Sequence, residues 1–255
     1  MKSLEQIISP IATEQAQFEA FFCQTLKAET EPMNSIMRYA SETKGKHLRP
    51  ILVLLSAKLF GEVNEQTLRA ATFVEMVHNA TLIHDDVVDE ADERRNRASV
   101  RAQFGNLSAV LAGDYLLAKA MLLLSHPEDY VILQEMLGTT AAMSEGELMQ
   151  TLNNSNYIDI ITRKTAMLMR SCCVTGAHSA KASAEQVQQI ADFGLNFGIL
   201  FQLRDDILDG ENMEQAETLL PFYLEKTRHS LEGLPHTKAL EALRDLTHFC
   251  AEREE

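Results

Sequence analysis

Apolar residues recur at intervals of three and four through nearly the whole chain, which is the spacing of a helix with one buried stripe. Only 6 Pro and 11 Gly interrupt the 255 residues, and good helix formers such as Leu, Ala, Met, Glu and Gln make up the long runs. No alternating pattern of useful length predicts a strand. The sequence therefore predicts a single all-α domain over residues 1–255, with helices at 3–29, 33–44, 50–60, 65–89, 107–124, 129–149, 157–179, 184–209, 214–231 and 236–251.

The charge balance and the first residues limit the classes of function. The 37 acidic and 23 basic side chains give a net charge of −14, which disfavours nucleic acid as a partner. The segment MKSLEQIISPIATEQ lacks the apolar region of a signal peptide, and no uninterrupted apolar stretch reaches membrane-spanning length. The four cysteines show no zinc-ligand spacing, and the adjacent pair Cys172 and Cys173 is predicted to be buried. We expect a soluble, cytoplasmic protein.

Two predicted helices, 65–89 and 184–209, end in the same pattern, D-D-x-x-D. Spacings of three and four place the carboxylates of each cluster on one helical face, where they repel one another. The C-terminal end of a helix is also the less favourable end for negative charge. One such cluster is typical of a solvated helix end, but two copies after long apolar helices indicate a functional site. The six residues are Asp85, Asp86 and Asp89 in the first cluster and Asp205, Asp206 and Asp209 in the second.

The ligand chemistry of these clusters favours Mg²⁺ over zinc. Carboxylates are hard oxygen ligands, and a few of them leave coordination positions for water and phosphate oxygens. Two facing clusters could hold metal ions with a diphosphate bridging them. Each neighbouring polar residue could be an ordinary surface group, but together they predict a phosphate-binding wall opposite the acids. These residues are Lys46, Arg49, His78, Arg94, Arg95, Lys164, Thr165 and Gln202.

Five segments occur in the order and rough spacing of one known family: GKHLRP, HNATLIHDDVVDEADERRN, GDYLLAKA, YIDIITRKTA and FQLRDDILD. From about Gly45 to Arg253 the chain resembles the trans-isoprenyl diphosphate synthases. The resemblance implies a helical bundle around a deep central cavity. It also implies Mg²⁺-dependent head-to-tail addition of isopentenyl diphosphate to an allylic diphosphate. A homodimer with helices near 107–149 at its interface, and delivery of the product to membranes, are implied as well.

The resemblance implies a role for each motif residue. Asp85 and Asp89 would hold magnesium with Asp86 in support, and Asp205 would hold a third ion, aided by Asp206 and Asp209. The allylic substrate would contact Arg94, Lys164, Thr165 and Gln202, and isopentenyl diphosphate would bind Lys46, Arg49, His78 and Arg95. The Lys164–Thr165 backbone and the Gln202 side-chain oxygen can present dipoles to a carbocation. The released diphosphate can serve as the base, so no side-chain nucleophile is needed.

Residues before the first cluster bear on product length. Thr81 lies one turn below Asp85, Val77 lies another turn below, and Ala80 is the fifth residue before Asp85. In short-chain members of the family, bulky aromatic residues near these positions close the pocket. Small residues here would leave room for a growing tail, although they could equally serve tight helix packing. The context resembles long-chain members that make quinone side chains, so we expect products longer than geranylgeranyl diphosphate, such as octaprenyl. A short-chain synthase stays open as an alternative.

The sequence also departs from the family after the second cluster. DDILDGEN leads almost directly to AETLLPFYLEKTRHSL, without the family's loop of glycine and lysine, and a smaller gap falls near QTLNNSNYID. Either a deletion or a sequence that omits mobile loops would account for this. A non-catalytic partner subunit is therefore a second hypothesis. A metal phosphohydrolase that uses the His84–Asp85 pair leaves the second cluster unexplained. Head-to-head synthases and terpene cyclases have no need of GKHLRP.

Overall fold

The computed structural model describes residues 2–42, 45–152 and 156–253. Helices dominate these residues, as predicted for an all-α protein. The helices are α1 Leu4–Ile7, α2 Ala12–Thr25, α3 Glu31–Glu42, α4 Leu48–Phe60, α5 Glu65–Val88, α6 Val100–Phe104, α7 Asn106–Leu123, α8 Tyr130–Leu152, α9 Tyr157–Ile161, α10 Met167–Ser179, α11 Ala184–Asp209, α12 Met213–His229 and α13 Lys238–Glu252. Short 3₁₀ turns occupy Ser9–Ile11 and Pro127–Asp129, and a π turn occupies Thr162–Ala166.

Helix α4 lies at the centre of the bundle. Every residue from Pro50 to Ala57 is buried, and the helix packs on α5, α10 and α13. Close approach between helices depends on glycine at several positions, including Gly176 and Gly198. A Cβ at Gly176 of α10 would lie 2.2 Å from the Val53 carbonyl oxygen, and one at Gly198 would lie 2.5 Å from the Ala166 Cα. The adjacent thiols Cys172 and Cys173 are buried in this core, as predicted.

The helices that carry the aspartate clusters begin and end with matching capping arrangements. Asn64 caps α5 and Ser183 caps α11, each within a capping box. At the other end, the Ala91 N–H donates to the Asp86 carbonyl at 2.9 Å, and the Glu211 N–H donates to the Asp206 carbonyl at 2.8 Å. Both are Schellman-type turns. The two clusters therefore occupy equivalent positions at the ends of two long helices.

Several predicted element boundaries were wrong for identifiable reasons. The predicted helix 3–29 breaks at Ser9–Ile11, where Pro10 has no N–H to continue the ladder. The hairpin of β1 (Glu93–Arg94) and β2 (Arg97–Ala98) was missed because two-residue strands are too short to show alternation. The predicted continuous helix 157–179 contains the π turn. The gap near QTLNNSNYID falls partly on residues 153–155, outside the described residues.

Helix α7 has one buried face and one apolar exposed face. Its small buried residues lie toward α5, and they include Ala109, Ala112 and Gly113. Among the described residues it is the one helix long and apolar enough to cross a membrane, by length and composition alone. Asp114 and Lys119 lie within it, so it is not an uninterrupted apolar stretch of the kind whose absence was noted from the sequence.

Candidate active site

Asp85 of the first cluster is partly buried and lies near two other carboxylates. Burial raises the pKa of Asp85 to about 6, and the nearby carboxylates of Glu147 and Asp89 act in the same direction. Lys164 and Arg94 partly oppose them. A site that holds carboxylates together at this energetic cost is suited to a bound cation.

The middle residue of the first cluster, Asp86, makes a different set of contacts. Its carboxylate is buried, and Oδ1 accepts hydrogen bonds from Arg94 Nε at 2.8 Å and Arg94 Nη2 at 2.6 Å. The β1–β2 hairpin thus folds back onto the helix end. Asp86 orients Arg94, and its predicted support of magnesium stays a prediction.

The second cluster lies between two cavities. Asp205 lines a cavity of about 460 Å³, whereas Asp206 and Asp209 line a larger cavity of about 1260 Å³. Burial raises the pKa of Asp205 despite an ion pair with Arg253, the residue that follows α13. The Arg253 guanidinium also lies 4.2 Å above the Phe201 ring. This arginine lies outside every motif quoted above, so no sequence pattern pointed to its role here.

The smaller cavity brings together all four residues predicted to bind isopentenyl diphosphate. Cationic and polar groups face an apolar wall that includes Phe197, Phe201 and Phe249, as a diphosphate with a short hydrocarbon tail requires. Two charged groups not predicted for this cavity, Glu75 and Arg253, also line it. The four predicted residues are Lys46, Arg49, His78 and Arg95.

The electrostatics of this cavity keep His78 neutral. Burial and the charges of Arg49 and Arg95 hold the pKa of His78 well below its usual value. Arg49 Nη1 lies 3.0 Å from His78 Nε2, and because arginine can only donate, this nitrogen is the acceptor. Glu75, which is 5% exposed, lies with Oε1 3.7 Å from His47 Nδ1. Burial raises the pKa of Glu75, and the charges of His47 and Arg49 oppose that rise. The cavity therefore holds a neutral His78 beside Arg49.

The larger cavity is lined by all four residues predicted to contact the allylic substrate, Arg94, Lys164, Thr165 and Gln202. Lys164 Nζ lies 2.6 Å from Glu147 Oε2 and donates to Gln150 Oε1 at 2.9 Å. The Thr165 hydroxyl donates to Gln202 Oε1 at 2.8 Å. Lys164 and Thr165 belong to the π turn, a distortion that often occurs at functional sites.

Three residues that line this larger cavity or contact its lysine were missed as functional candidates. Glu147 and Gln150 contact Lys164 from α8, and Tyr157 donates its hydroxyl to Asp206 Oδ2 at 2.5 Å. Tyr157 stands inside YIDIITRKTA, so its place in a motif was the available signal. Glu147 and Gln150 lie on one helical face, which is also the ordinary pattern of a solvated surface.

The predicted chain-length residues line neither of these two cavities. Val77 and Ala80 are fully buried, and Thr81 is half-buried with its hydroxyl donating to the His78 carbonyl at 2.9 Å. Their small size serves helix packing in this conformation. A role in product length stays a prediction.

The donor set agrees with metal ions that are shared with a diphosphate. Among the described residues, no group of three or more His, Cys, Asp or Glu converges on one point. Mg²⁺ usually takes one or two carboxylates and completes its shell with water and phosphate oxygens, so the carboxylates at the two helix ends fit it. His84 instead packs against α7, with Nε2 3.2 Å from the Val110 carbonyl oxygen. This position gives no support to a histidine-based metal centre.

Comparison with known proteins identifies the family. The Polyprenyl synthetase family matches residues 30–218. Octaprenyl diphosphate synthase of Haemophilus influenzae is 38% identical over 70% of this chain and 56% of that protein. The Escherichia coli octaprenyl diphosphate synthase is 32% identical over 86% of this chain and 74% of that protein. The first match therefore spans little more than half of that relative's length.

A solved structure has the same fold. The geranylgeranyl pyrophosphate synthase of Corynebacterium glutamicum, complexed with calcium and isoprenyl diphosphate, superimposes with a TM-score of 0.85 and 25% identity, over 97% of each chain. The sequence match and the shared fold point to the same family as the order of the motifs. The chain belongs to the polyprenyl synthetase family.

Proposed function

We propose that this chain is a Mg²⁺-dependent trans-polyprenyl diphosphate synthase that adds isopentenyl diphosphate head-to-tail to an allylic diphosphate. The observation that carries the proposal is the position of the second aspartate cluster. It lies between a small cationic cavity with an apolar wall and a larger cavity that holds Lys164, Thr165 and Gln202. Two substrates, each with a diphosphate and a hydrocarbon part, match these two cavities. The function is assigned to one domain, residues 1–255.

Magnesium is the proposed cofactor, with three ions per site by family resemblance. Asp85 and Asp89 would hold ions from the end of α5, and Asp205 and Asp209 would hold an ion from the end of α11. When bound, the ions supply positive charge that neutralises the departing diphosphate. The raised pKa of Asp85, caused mainly by burial, supports the need for a cation there.

The side chains of this protein would bind both substrates and stabilise the developing charge. Arg94 and Lys164 hold the allylic diphosphate, and Lys46, Arg49 and Arg95 hold isopentenyl diphosphate beside the neutral His78. Thr165 and Gln202 line the larger cavity. The Lys164–Thr165 backbone and the Gln202 side-chain oxygen would face the carbon from which the diphosphate departs, and their dipoles would stabilise its positive charge. The departing diphosphate itself accepts the final proton. No side-chain nucleophile takes part.

We further propose a product longer than geranylgeranyl diphosphate, with octaprenyl as the expected length and quinone side chains as its use. The octaprenyl names of two relatives support this, and so do the small residues Val77, Ala80 and Thr81. A farnesyl or geranylgeranyl product is the alternative, since the Corynebacterium structure is of a geranylgeranyl synthase.

We also propose a cytoplasmic homodimer that delivers its product to membranes. The exposed face of α7 carries Leu107 at 76%, Leu111 at 53% and Leu122 at 70% exposure, and α8 also exposes Leu137. A second copy packed on α7 and α8 would remove this apolar surface from water. Sedimentation should give twice the monomer mass, and a monomer would contradict this part of the proposal.

A non-catalytic partner subunit is the second candidate function. Only Gly210, Glu211 and Asn212 join α11 to α12, so the loop expected over the diphosphate is not formed there. Without such a loop, water exclusion and turnover would suffer. Activity of the purified chain by itself would exclude this candidate.

The direct test measures release of inorganic pyrophosphate by the purified chain. The synthase proposal predicts release only when isopentenyl diphosphate, farnesyl diphosphate and Mg²⁺ are all present, and none with EDTA. Release from farnesyl diphosphate alone would indicate hydrolysis or cyclisation instead. No release under any condition would favour the partner subunit.

A further inference from the structure

Tyr157 connects the start of α9 to the end of α11. It is the first residue of α9, where the Asn156 side chain caps the helix by accepting from the Ile158 N–H at 2.8 Å. Its hydroxyl donates to Asp206 Oδ2 at 2.5 Å. Burial and this bond to Asp206 both raise the pKa of Tyr157, so the hydroxyl keeps its proton. The ring is thereby fixed as a hydrogen-bond donor on the wall of the larger cavity.

The contact continues as a chain of hydrogen bonds toward the substrate cavity. Asp206 is 5% exposed, and its second oxygen, Oδ1, accepts from Gln202 Nε2 at 2.7 Å. The other end of that amide, Gln202 Oε1, accepts from the Thr165 hydroxyl at 2.8 Å. The chain runs from Tyr157 through Asp206 and Gln202 to Thr165, and it crosses from α9 to α11 and on to the π turn.

The direction of this chain has a chemical consequence. Both oxygens of Asp206 accept hydrogen bonds, so Asp206 selects the nitrogen end of the Gln202 amide. The amide oxygen is then left for Thr165 and the cavity. If the Gln202 side-chain amide were rotated by about 180°, its N–H₂ group would face the cavity and would destabilise a developing positive charge. Tyr157 donates to the oxygen of Asp206 that Gln202 does not reach, so both oxygens of the buried carboxylate are held in place.

We propose that Tyr157 is a positioning residue that sets the orientation of the Gln202 amide through Asp206. The inference rests on the proposed synthase function, in which the Gln202 oxygen faces the allylic carbon. Tyr157 should therefore affect the ionisation of the allylic diphosphate, because the dipole of the Gln202 amide acts in that step. Tyr157 does not line the smaller cavity, so binding of isopentenyl diphosphate is independent of it.

The test compares Tyr157→Phe with the wild type. We expect kcat to fall about 10- to 100-fold, the usual effect of losing a supporting hydrogen bond behind a functional group. The KM for isopentenyl diphosphate should stay within about twofold, and so should the Kd of the unreactive thio analogue of farnesyl diphosphate measured by calorimetry. Tyr130→Phe is the matched control, because Tyr130 is an exposed residue at the start of α8 whose hydroxyl contacts only Gln134 among the described hydrogen bonds. It should behave as the wild type.

A double-mutant cycle separates positioning from a merely structural contact. If Tyr157 acts through Gln202, Tyr157→Phe should change kcat less than about threefold in a Gln202→Leu background. If kcat of the double variant falls by the product of the two single-variant reductions, the inference is wrong. It is also wrong if kcat of Tyr157→Phe stays within twofold of the wild type. Loss of kcat together with loss of analogue binding would also overturn it, since it would indicate a damaged pocket. A wild type without activity would instead contradict the proposed function, and the inference with it.

Discussion

Asp86 and Asp206 are structural counterparts. The backbone carbonyl of each accepts a hydrogen bond from the N–H five residues later, at 2.9 Å and 2.8 Å. The carboxylate of each is almost fully buried and bonded to protein donors, Arg94 in one case and Tyr157 with Gln202 in the other. The middle aspartate of each D-D-x-x-D pattern thus stabilises the site through hydrogen bonds from protein donors. The last aspartate of each pattern, Asp89 or Asp209, is exposed.

This division predicts different effects of two similar substitutions. Asp86→Asn should lower the free energy of unfolding by about 1–3 kcal/mol, because Arg94 loses a charged and buried partner. Asp89→Asn, at an exposed position, should change it by less than about 0.5 kcal/mol. Urea unfolding in EDTA measures both. Equal effects would show that the burial of Asp86 has no energetic consequence.

The two helix ends also differ at one backbone position. Glu90 has a φ of +52°, a conformation that is unfavourable for a residue with a Cβ, whereas the equivalent residue of the second cluster is Gly210, with a φ of +75°. Glu90→Gly should therefore stabilise the protein by up to about 1 kcal/mol, and Gly210→Ala should destabilise it by about 1 kcal/mol. Thermal unfolding of both variants checks the signs. A destabilised Glu90→Gly variant would contradict the comparison.

The raised pKa of Asp85 predicts a pH dependence of stability in the metal-free protein. Burial raises this pKa from 3.8 to about 6, so over that interval the folded protein retains a proton that the unfolded chain has lost. Stability should fall as the pH rises through the interval, and the whole loss should be present above about pH 6.

Asp85→Asn removes this titration. In EDTA the variant should be more stable than the wild type at neutral pH, and the difference should vanish at a pH below 3.8. Melting temperatures at the two pH values give the comparison. If the melting temperatures of variant and wild type differ by the same amount at both pH values, some other effect of the substitution is responsible.

Gly146 of α8 controls how closely that helix approaches the π turn. A Cβ there would lie 2.7 Å from the Lys164 amide nitrogen and 2.8 Å from Arg163 Cβ. Gly146→Ala should therefore displace Lys164 and reduce kcat/KM for the allylic substrate by roughly 10- to 100-fold. Gly138→Ala is the control on the same helix, since a Cβ there meets nothing within 4 Å. Equal activity in both variants would show that the π turn tolerates the displacement.

The sequence predicted well those features that arise from local pattern and from motif order. The helical class followed from apolar periodicity, and the resemblance grouped Lys46, Arg49, His78 and Arg95, which the structure finds around one cavity. The predicted helices 65–89 and 184–209 placed each aspartate cluster at a helix end, where the structure has it. These features depend on neighbours within a few turns or on motifs whose order the family shares.

Other features of the site depend on contacts between distant parts of the chain. Arg253 meets Asp205 across 48 residues, and Tyr157 meets Asp206 across 49. No spacing rule links such pairs, because the packing of α9 and α13 against α11 decides them. The π turn escaped prediction for a related reason. It spans only five residues between two helices, too few to show a period of its own, and the close approach at Gly146 becomes visible only in three dimensions.

The central claim is Mg²⁺-dependent chain elongation by this protein alone. The most direct measurement incubates it with farnesyl diphosphate, radiolabelled isopentenyl diphosphate and Mg²⁺, and then resolves the products by length, with EDTA and Asp85→Asn as controls. The account predicts a ladder that extends beyond the geranylgeranyl product, is abolished by EDTA, and is at least about 100-fold weaker with Asp85→Asn. No labelled product, or a product formed equally well in EDTA, would contradict it.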